Sequence, residues 1–196
     1  MFFNHQKEAD GFFGRRIGIV GLGPRNGVTH ISIALSNYLS ENRHKRVCLA
    51  ECNRHNDLKT FIRSLGENRI GNGYTFHRVT YIPEFDEEQS LPDIDFDCMV
   101  FDLGHDLDRA LNTMKICDLK IAVAADAPWR NGETAGLNET AVRRTGISGW
   151  RIFYNLGNPE RLKEKGNKGI ISGCFPFEPD PVYPSRETIA FLEEIL

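Results

Sequence analysis

No apolar run in the chain approaches the roughly 18 residues that a membrane-spanning helix needs, so the sequence carries no membrane signal. A basic excess is missing too. There are 24 lysines and arginines against 27 acids, a net charge of −3, where a dedicated nucleic-acid binder shows the opposite sign. A local patch around "RLKEKGNK" and Arg143-Arg144 is the only nucleic-acid signal, and a solvated helix face is its simpler reading. Cysteine is sparse and odd in number: Cys48, Cys52, Cys98, Cys117 and Cys174. Cys48 and Cys52 have no second pair to complete a zinc site. Cys48, Cys98 and Cys174 fall in apolar, strand-like runs, where cysteine acts as a small hydrophobe. This usage suits a reducing cytosol and a cytoplasmic protein. The opening "MFFNHQKEADGFFGRR" lacks the apolar centre of a signal peptide and contains acids that a transit peptide avoids. Residues 1–15 therefore read as a partly ordered tail, with its paired aromatics free to dock on the domain or on a partner, and residues 16–196 as a single domain.

What the chain does have is alternation. Apolar runs at 16–20, 46–51, 74–82, 98–104, 120–126, 150–157 and 169–177 read as seven strands. The segment 74–82 is placed near an edge because it alternates, whereas "CMVFDLG" is apolar throughout, as a strand buried on both faces is. Helical spacing fills most gaps. From Thr29, the positions Ile31, Ala34, Leu35, Tyr38 and Leu39 share one face to about residue 41. Further helices are expected from Asp57 to Gly66, at about 106–115, 132–144 and 159–165, and from Ser185, the N-cap, to Leu196. The acidic stretch 84–97 reads as loop. Strand-then-helix units of this kind imply an α/β fold of three layers, α/β/α, with a mostly parallel sheet of about seven strands.

The chemistry concentrates after the first strand, in "IGIVGLGPRNGVTHISIAL". Gly21, Gly23 and Gly27 allow a sharp turn and close approach of backbone to an anion, and the helix that follows offers free N–H groups and a positive dipole end. Arg25, Asn26, Gly27, Val28, Thr29 and His30 are the candidate nucleotide-contacting residues beside Gly21 and Gly23. Two phosphate-binding patterns nearly fit. For G-x-G-x-x-G, Asn26 stands at the third glycine; for G-x-x-x-x-G-K-[ST], Leu22 replaces the first glycine and Val28 the lysine. Arg25 or His30 could supply the lost positive charge. The plainer alternative is a glycine-rich turn that only joins strand to helix. A magnesium–nucleotide site also needs an acid at a neighbouring strand end. Asp102 is that acid, or else a cap for the next helix; Glu51 is a second candidate, and Thr29 a third ligand or a helix cap.

These segments together resemble the MinD/ParA branch (SIMIBI class) of the P-loop NTPase proteins. "GPRNGVT" falls on the deviant Walker A motif K-G-G-V-G-K-T, so that Gly23 takes the place of the signature lysine and Val28 that of the phosphate-binding lysine. "VCLAECN" resembles the second-strand "VLLIDAD", with Glu51 and Asn53 at the aspartate positions, and "FDCMVFDLG" resembles the Walker B strand. "IFYNLGN" falls on the strand whose asparagine contacts the base, here Asn155, and "CFPFEPD" on the final loop. The resemblance covers residues 16–180. It implies ATP or ADP with magnesium as ligand, a homodimer that sandwiches the nucleotide, and protein partners in a larger assembly. With both lysines gone it also implies weak or lost nucleotide binding and little or no hydrolysis. TadZ/CpaE-like proteins are the closest in character: they position pilus-assembly machinery and often carry atypical loops. They usually have an additional receiver-like domain, for which this chain is too short. The basic membrane tail of MinD-type proteins has no counterpart in "SRETIAFLEEIL", with three glutamates to one arginine.

Two alternatives remain. A dethiobiotin-synthetase-like enzyme of the same fold group would need substrate-directed groups near the loop, for which His30, His55 and His105 are candidates. A Rossmann dinucleotide domain would give Glu51 the ribose hydroxyl, although Glu51 lies farther from the loop than the usual ~20 residues. "DAPWR" places Trp129 and Arg130, residue types enriched in interface hot spots, in a loop where Trp129 either faces a partner or packs into the core.

Overall fold

The computed structural model describes residues 14–65, 69–70, 73–85, 95–130, 132–137, 141–162 and 169–196. Residues 1–13 of the expected tail and most of the acidic loop fall outside the described residues, as do residues 163–168, which hold the end of the 159–165 helix and most of the "RLKEKGNK" patch. Among the described residues nine strands form one sheet: β1 (Arg15–Gly21), β2 (Val47–Glu51), β3 (Arg69–Ile70), β4 (Gly73–Phe76), β5 (Val79–Ile82), β6 (Cys98–Asp102), β7 (Leu119–Ala125), β8 (Trp150–Asn155) and β9 (Ile171–Phe175). Their order is β3-β4-β5-β2-β6-β1-β7-β8-β9. All pairings from β5 to β9 are parallel; β3 and β4 extend the edge antiparallel.

The count exceeds the expected seven at that one edge. The segment expected as a single strand over 74–82 is a hairpin, because His77 and Arg78 both take left-handed backbone conformations, φ 47° and 62°. Two such residues in succession form the turn that suits a right-twisted hairpin, usually built from asparagine and glycine. Neither residue type signals it here.

Period-two alternation divides the core between the sheet's faces. Ile17 and Ile19 point to one face with Leu49, Val100, Ile121 and Phe153. Against them pack α1 (Val28–Glu41), α2 (Asp57–Leu65) and α7 (Arg186–Ile195). Val20, Ala50, Phe101, Ala122 and Ile152 point to the other face, covered by α3 (Leu107–Met114) and by Leu137, Ala141 and Val142, which follow the helical turn α4 (Glu133–Gly136) and open the turn α5 (Val142–Thr145). A further turn, α6 (Pro159–Leu162), follows β8. Each large side chain so buried contributes about 1.5–3 kcal/mol. Gly18 is required by the second face: a Cβ there would lie 2.6 Å from the Met114 sulfur.

The helix ends follow their sequence signals. Ser185 caps α7 by accepting from the Thr188 amide, and Asp106 caps α3 by accepting from that of Arg109. The cap of α3 is thus Asp106, which leaves Asp102 for other partners. All five residues of the expected α1 face are buried. Its serines and asparagine are covered as well, and Asn37 donates to the Tyr81 hydroxyl at 3.1 Å. No helix among the described residues is long and apolar enough to cross a membrane.

Candidate functional site

β1 runs between β6 and β7, so the loop that leaves its carboxyl end is flanked by the ends of two buried strands. In open α/β sheets ligands bind at this crevice. The Gly21 amide donates to the Gly104 carbonyl at 2.7 Å and the Leu22 amide to that of Val123 at 2.8 Å, which ties the loop's first half to both neighbours. Arg25 and Gly27 then take left-handed conformations, φ 59° and 85°. Backbone of alternating hand turns successive N–H groups toward one side. Gly27 is the N-cap of α1 and carries no capping side chain. Bonding within the helix begins with the Ile31 amide, which donates to Gly27. The amides before it have no helical partner.

In front of these amides lies a cavity of about 290 Å³, walled by the loop and α1 from Gly23 to His30, and on the far side by His55, Asp57, Gly104 and His105. Arg25 is exposed at its mouth. The three histidines named from sequence as substrate-directed groups therefore meet at one place. The His55 and His105 rings are stacked, 5.0 Å between centroids and parallel within 1°.

Val28, at the position of the missing lysine, is 7% exposed and belongs to the core cluster on the α1 face. Asn26 is 2% exposed; its amide donates to the Val123 carbonyl at 2.9 Å and to Glu133 at 3.3 Å, while its side-chain oxygen has no partner. Asn155, implied by resemblance as a base contact, donates to the Asn26 carbonyl at 3.0 Å and braces the loop from β8. Gly27 must be glycine on two counts, since a Cβ would collide with the Asn155 amide and its φ is left-handed. Gly23 lies beneath an ion pair: Arg130 binds Glu133 and also donates to the Pro24 carbonyl at 3.1 Å. Any Cβ at Gly23 would lie 2.5 Å from that pair, which would then have to shift. Trp129 is 84% exposed, so the core-packing alternative for it does not hold.

Thr29 donates its hydroxyl to Asp102 Oδ2 at 2.6 Å. Asp102 Oδ1 accepts from the Asn53 side chain at 2.9 Å and from the Gly104 amide at 3.0 Å. Asn53 in turn accepts from the His55 amide at 2.8 Å. Burial pushes the Asp102 carboxyl above the usual aspartate range, against the opposing donors Thr29, Gly104 and Asn53. An oxygen-lined threonine–aspartate pair beside free loop amides fits a hydrated magnesium ion, which keeps much of its water and takes one or two carboxylates. Glu51 pairs in register with Asp102 on the adjoining strand, and both are buried behind the cavity's lining residues; what separates them is that Glu51 accepts from the Leu58 amide at 3.2 Å, whereas Asp102 accepts from Thr29. Its Oε1 caps α2 and its Oε2 is buried without a hydrogen-bond partner, so Glu51 would reach a metal or a ribose in the cavity only after rearrangement. Burial raises its pKa, aided by the Asp102 charge and opposed by the α2 amides.

No protein-family model matches the chain, and no curated protein sequence matches it. Solved structures do. A plasmid partition protein from Borrelia burgdorferi, bound to AMPPNP, superposes with a TM-score of 0.70 at 16% identity, over 92% of this chain and 96% of its own. The septum site-determining protein MinD from Pyrococcus horikoshii, complexed with Mg-ADP, gives 0.62 at 16% identity, over 84% of this chain and 82% of its own. A ParA family ATPase from Chlorobium tepidum gives 0.61 at 13% identity, over 92% and 93%. At such identities the likeness establishes the fold: the chain has the three-layer α/β/α architecture of the ParA- and MinD-type P-loop ATPases.

Proposed function

We propose that the chain is an atypical P-loop protein that holds the polyphosphate of ATP or ADP weakly, hydrolyses it slowly or not at all, and acts as a localisation or assembly factor in the cytoplasm. The observation that carries this reading is the placement of Val28. The loop keeps its open amides, its bracing by Asn26 and Asn155 and its Thr29–Asp102 pair, but the side chain at the lysine position is an uncharged valine that packs with the core cluster and offers the cavity only an apolar wall. Backbone amides and Arg25 can bind phosphate; they do not replace the fixed cation that stabilises the charge developing in the transition state.

Magnesium, when bound, neutralises phosphate charge; Thr29 and Asp102 are the residues that would hold its water shell. A partition or cell-division role belongs to the neighbours' own names. For this chain, the exposed Trp129 next to the fixed Arg130 supports a surface for a protein partner or a second copy. A pilus- or secretion-related assembly of the TadZ/CpaE kind is the specific form of this reading. Titration calorimetry with ATP and ADP plus magnesium tests it: binding weaker than micromolar with negligible phosphate release is expected. Micromolar binding with rapid turnover would overturn the degenerate-site reading, and no binding at millimolar nucleotide would overturn its ligand half.

One observation favours a second reading, a nucleotide-dependent enzyme of the dethiobiotin-synthetase type: His30, His55 and His105 surround the same cavity. Phosphate release that appears only when a small carboxylic-acid substrate is supplied would distinguish it.

A further inference from the structure

His55 and His105 come from loops that end adjacent strands, β2 and β6, and their rings stack across the cavity from the loop amides. Their placement is fixed by backbone. The His55 amide is held by Asn53, itself bound to Asp102, and Gly104 directly precedes His105 with a left-handed φ of 64°. A Cβ on Gly104 would come within 2.8 Å of Asn53 and 3.3 Å of the His55 ring, so only glycine lets the two loops close to stacking distance.

The charged groups around the pair are few. Arg25 faces it from the loop, His30 from α1 and Asp57 from the start of α2. Asp102 stands behind Asn53 and Gly104 with both oxygens engaged, and Asp106, next in the chain, is occupied in capping α3. Two imidazolium rings this close repel one another, and Arg25 adds to the repulsion; Asp57 opposes it. An entering polyphosphate reverses the balance, because it brings several negative charges to a wall with no lysine.

The geometry points to a proton-linked anion clamp: the stacked His55–His105 pair takes up a proton as a polyphosphate enters and supplies the charge that the P-loop lysine provides elsewhere. This rests on the phosphate-binding reading above and adds to it the residues responsible and their dependence on pH. Histidine is the side chain whose charge changes near neutrality, so affinity rises as pH falls from 8 to 6.

The test uses inorganic pyrophosphate and the full chain. Calorimetry in two buffers of different ionisation enthalpy measures protons taken up on binding, for the wild type and for the double variant His55→Asn, His105→Asn. Uptake on the order of one proton near pH 7 is expected for the wild type and close to none for the variant, beyond the ligand's own ionisation, which is common to both. The wild-type-to-variant affinity ratio should be roughly tenfold larger at pH 6 than at pH 8. Both positions are exposed, and as a check independent of the variants, the ring C–H resonances of the wild type should titrate at higher pH when pyrophosphate is present. Equal uptake in both proteins, a ratio constant with pH, or unmoved ring resonances would overturn the clamp and leave the amides and Arg25 as the binding groups. No binding at any pH would overturn the phosphate reading as well, so the two failures are distinguishable.

Discussion

The hydroxyl of Thr29 donates to Asp102 across 2.6 Å, joining the first turn of α1 to the last residue of β6, 73 positions later in the chain. Asp102 is 1% exposed, and its carboxylate accepts from the first turn of α1, from the β2 end and from its own turn. The contact therefore couples the geometry of the phosphate loop to that of the crevice wall.

Replacing Thr29 by valine keeps the shape and removes the donor. Asp102 Oδ2 is then buried without a partner, which costs about 1–3 kcal/mol. Thr29→Ser, which retains the hydroxyl, should lie between wild type and valine and closer to wild type. Urea unfolding midpoints measure both. The magnesium reading adds that any gain in nucleotide affinity from magnesium disappears in Thr29→Val and persists in Thr29→Ser.

Restoring the lysine should not restore a working loop. Val28 is 7% exposed, belongs to the core cluster on the α1 face and also lines the cavity, so a lysine there gives up the packed valine and brings its ammonium to the cavity at the cost of that packing. Val28→Lys is expected to lower stability by about 2–4 kcal/mol and to give no gain in ATP hydrolysis. A variant of unchanged melting temperature that hydrolyses ATP would show that the missing charge at position 28 is all that the loop lacks.

That packing could not be read from the chain, because a P-loop pattern with valine for lysine is the same string whether or not the side chain joins the core. The framework was legible. Buried strands such as β6 and β7 are continuous apolar runs, and α7 announces itself by Ser185 and by Ile189 and Leu192. The edge hairpin was not, since its turn uses His77 and Arg78 in conformations that glycine or asparagine normally mark. Nor was the meeting of His55 with His105, which depends on β2 and β6 being neighbours in register, Glu51 opposite Asp102. The signal existed in both histidines lying a few residues past an acid that ends a strand. Only the strand order turns those two spacings into one site.

Arg25 separates binding from folding. It is exposed at the cavity mouth in a left-handed conformation, and Arg25→Ala should leave the melting temperature near that of the wild type. Loss of a charge-assisted contact weakens pyrophosphate or ADP by roughly tenfold or more. Arg25→Lys should recover part of that, because a lysine keeps the charge but not the two-pronged grip. Unchanged affinity in Arg25→Ala, measured by calorimetry, would remove this residue from the site.

Glu51 makes the chain more stable in mild acid than its composition suggests. Burial above all, with the Asp102 charge adding to it, holds its folded pKa over the ordinary glutamate value, while the amides of Leu58 and Asp57 oppose the shift. Below about pH 4 the carboxyl is protonated in both folded and unfolded chains, and its contribution is fully present. As pH rises through the window up to the raised folded value, the unfolded chain releases its proton first. Unfolding is favoured and stability falls, by up to about 1.4 kcal/mol per pH unit. Glu51→Gln keeps an oxygen to accept from Leu58 and has no proton to lose. Its melting temperature should match the wild type near pH 4 and exceed it by a growing margin toward pH 8, where the margin levels off. Scanning calorimetry of the two proteins across that range reads the difference directly, and parallel curves would show that Glu51 is charged at no cost in the folded protein.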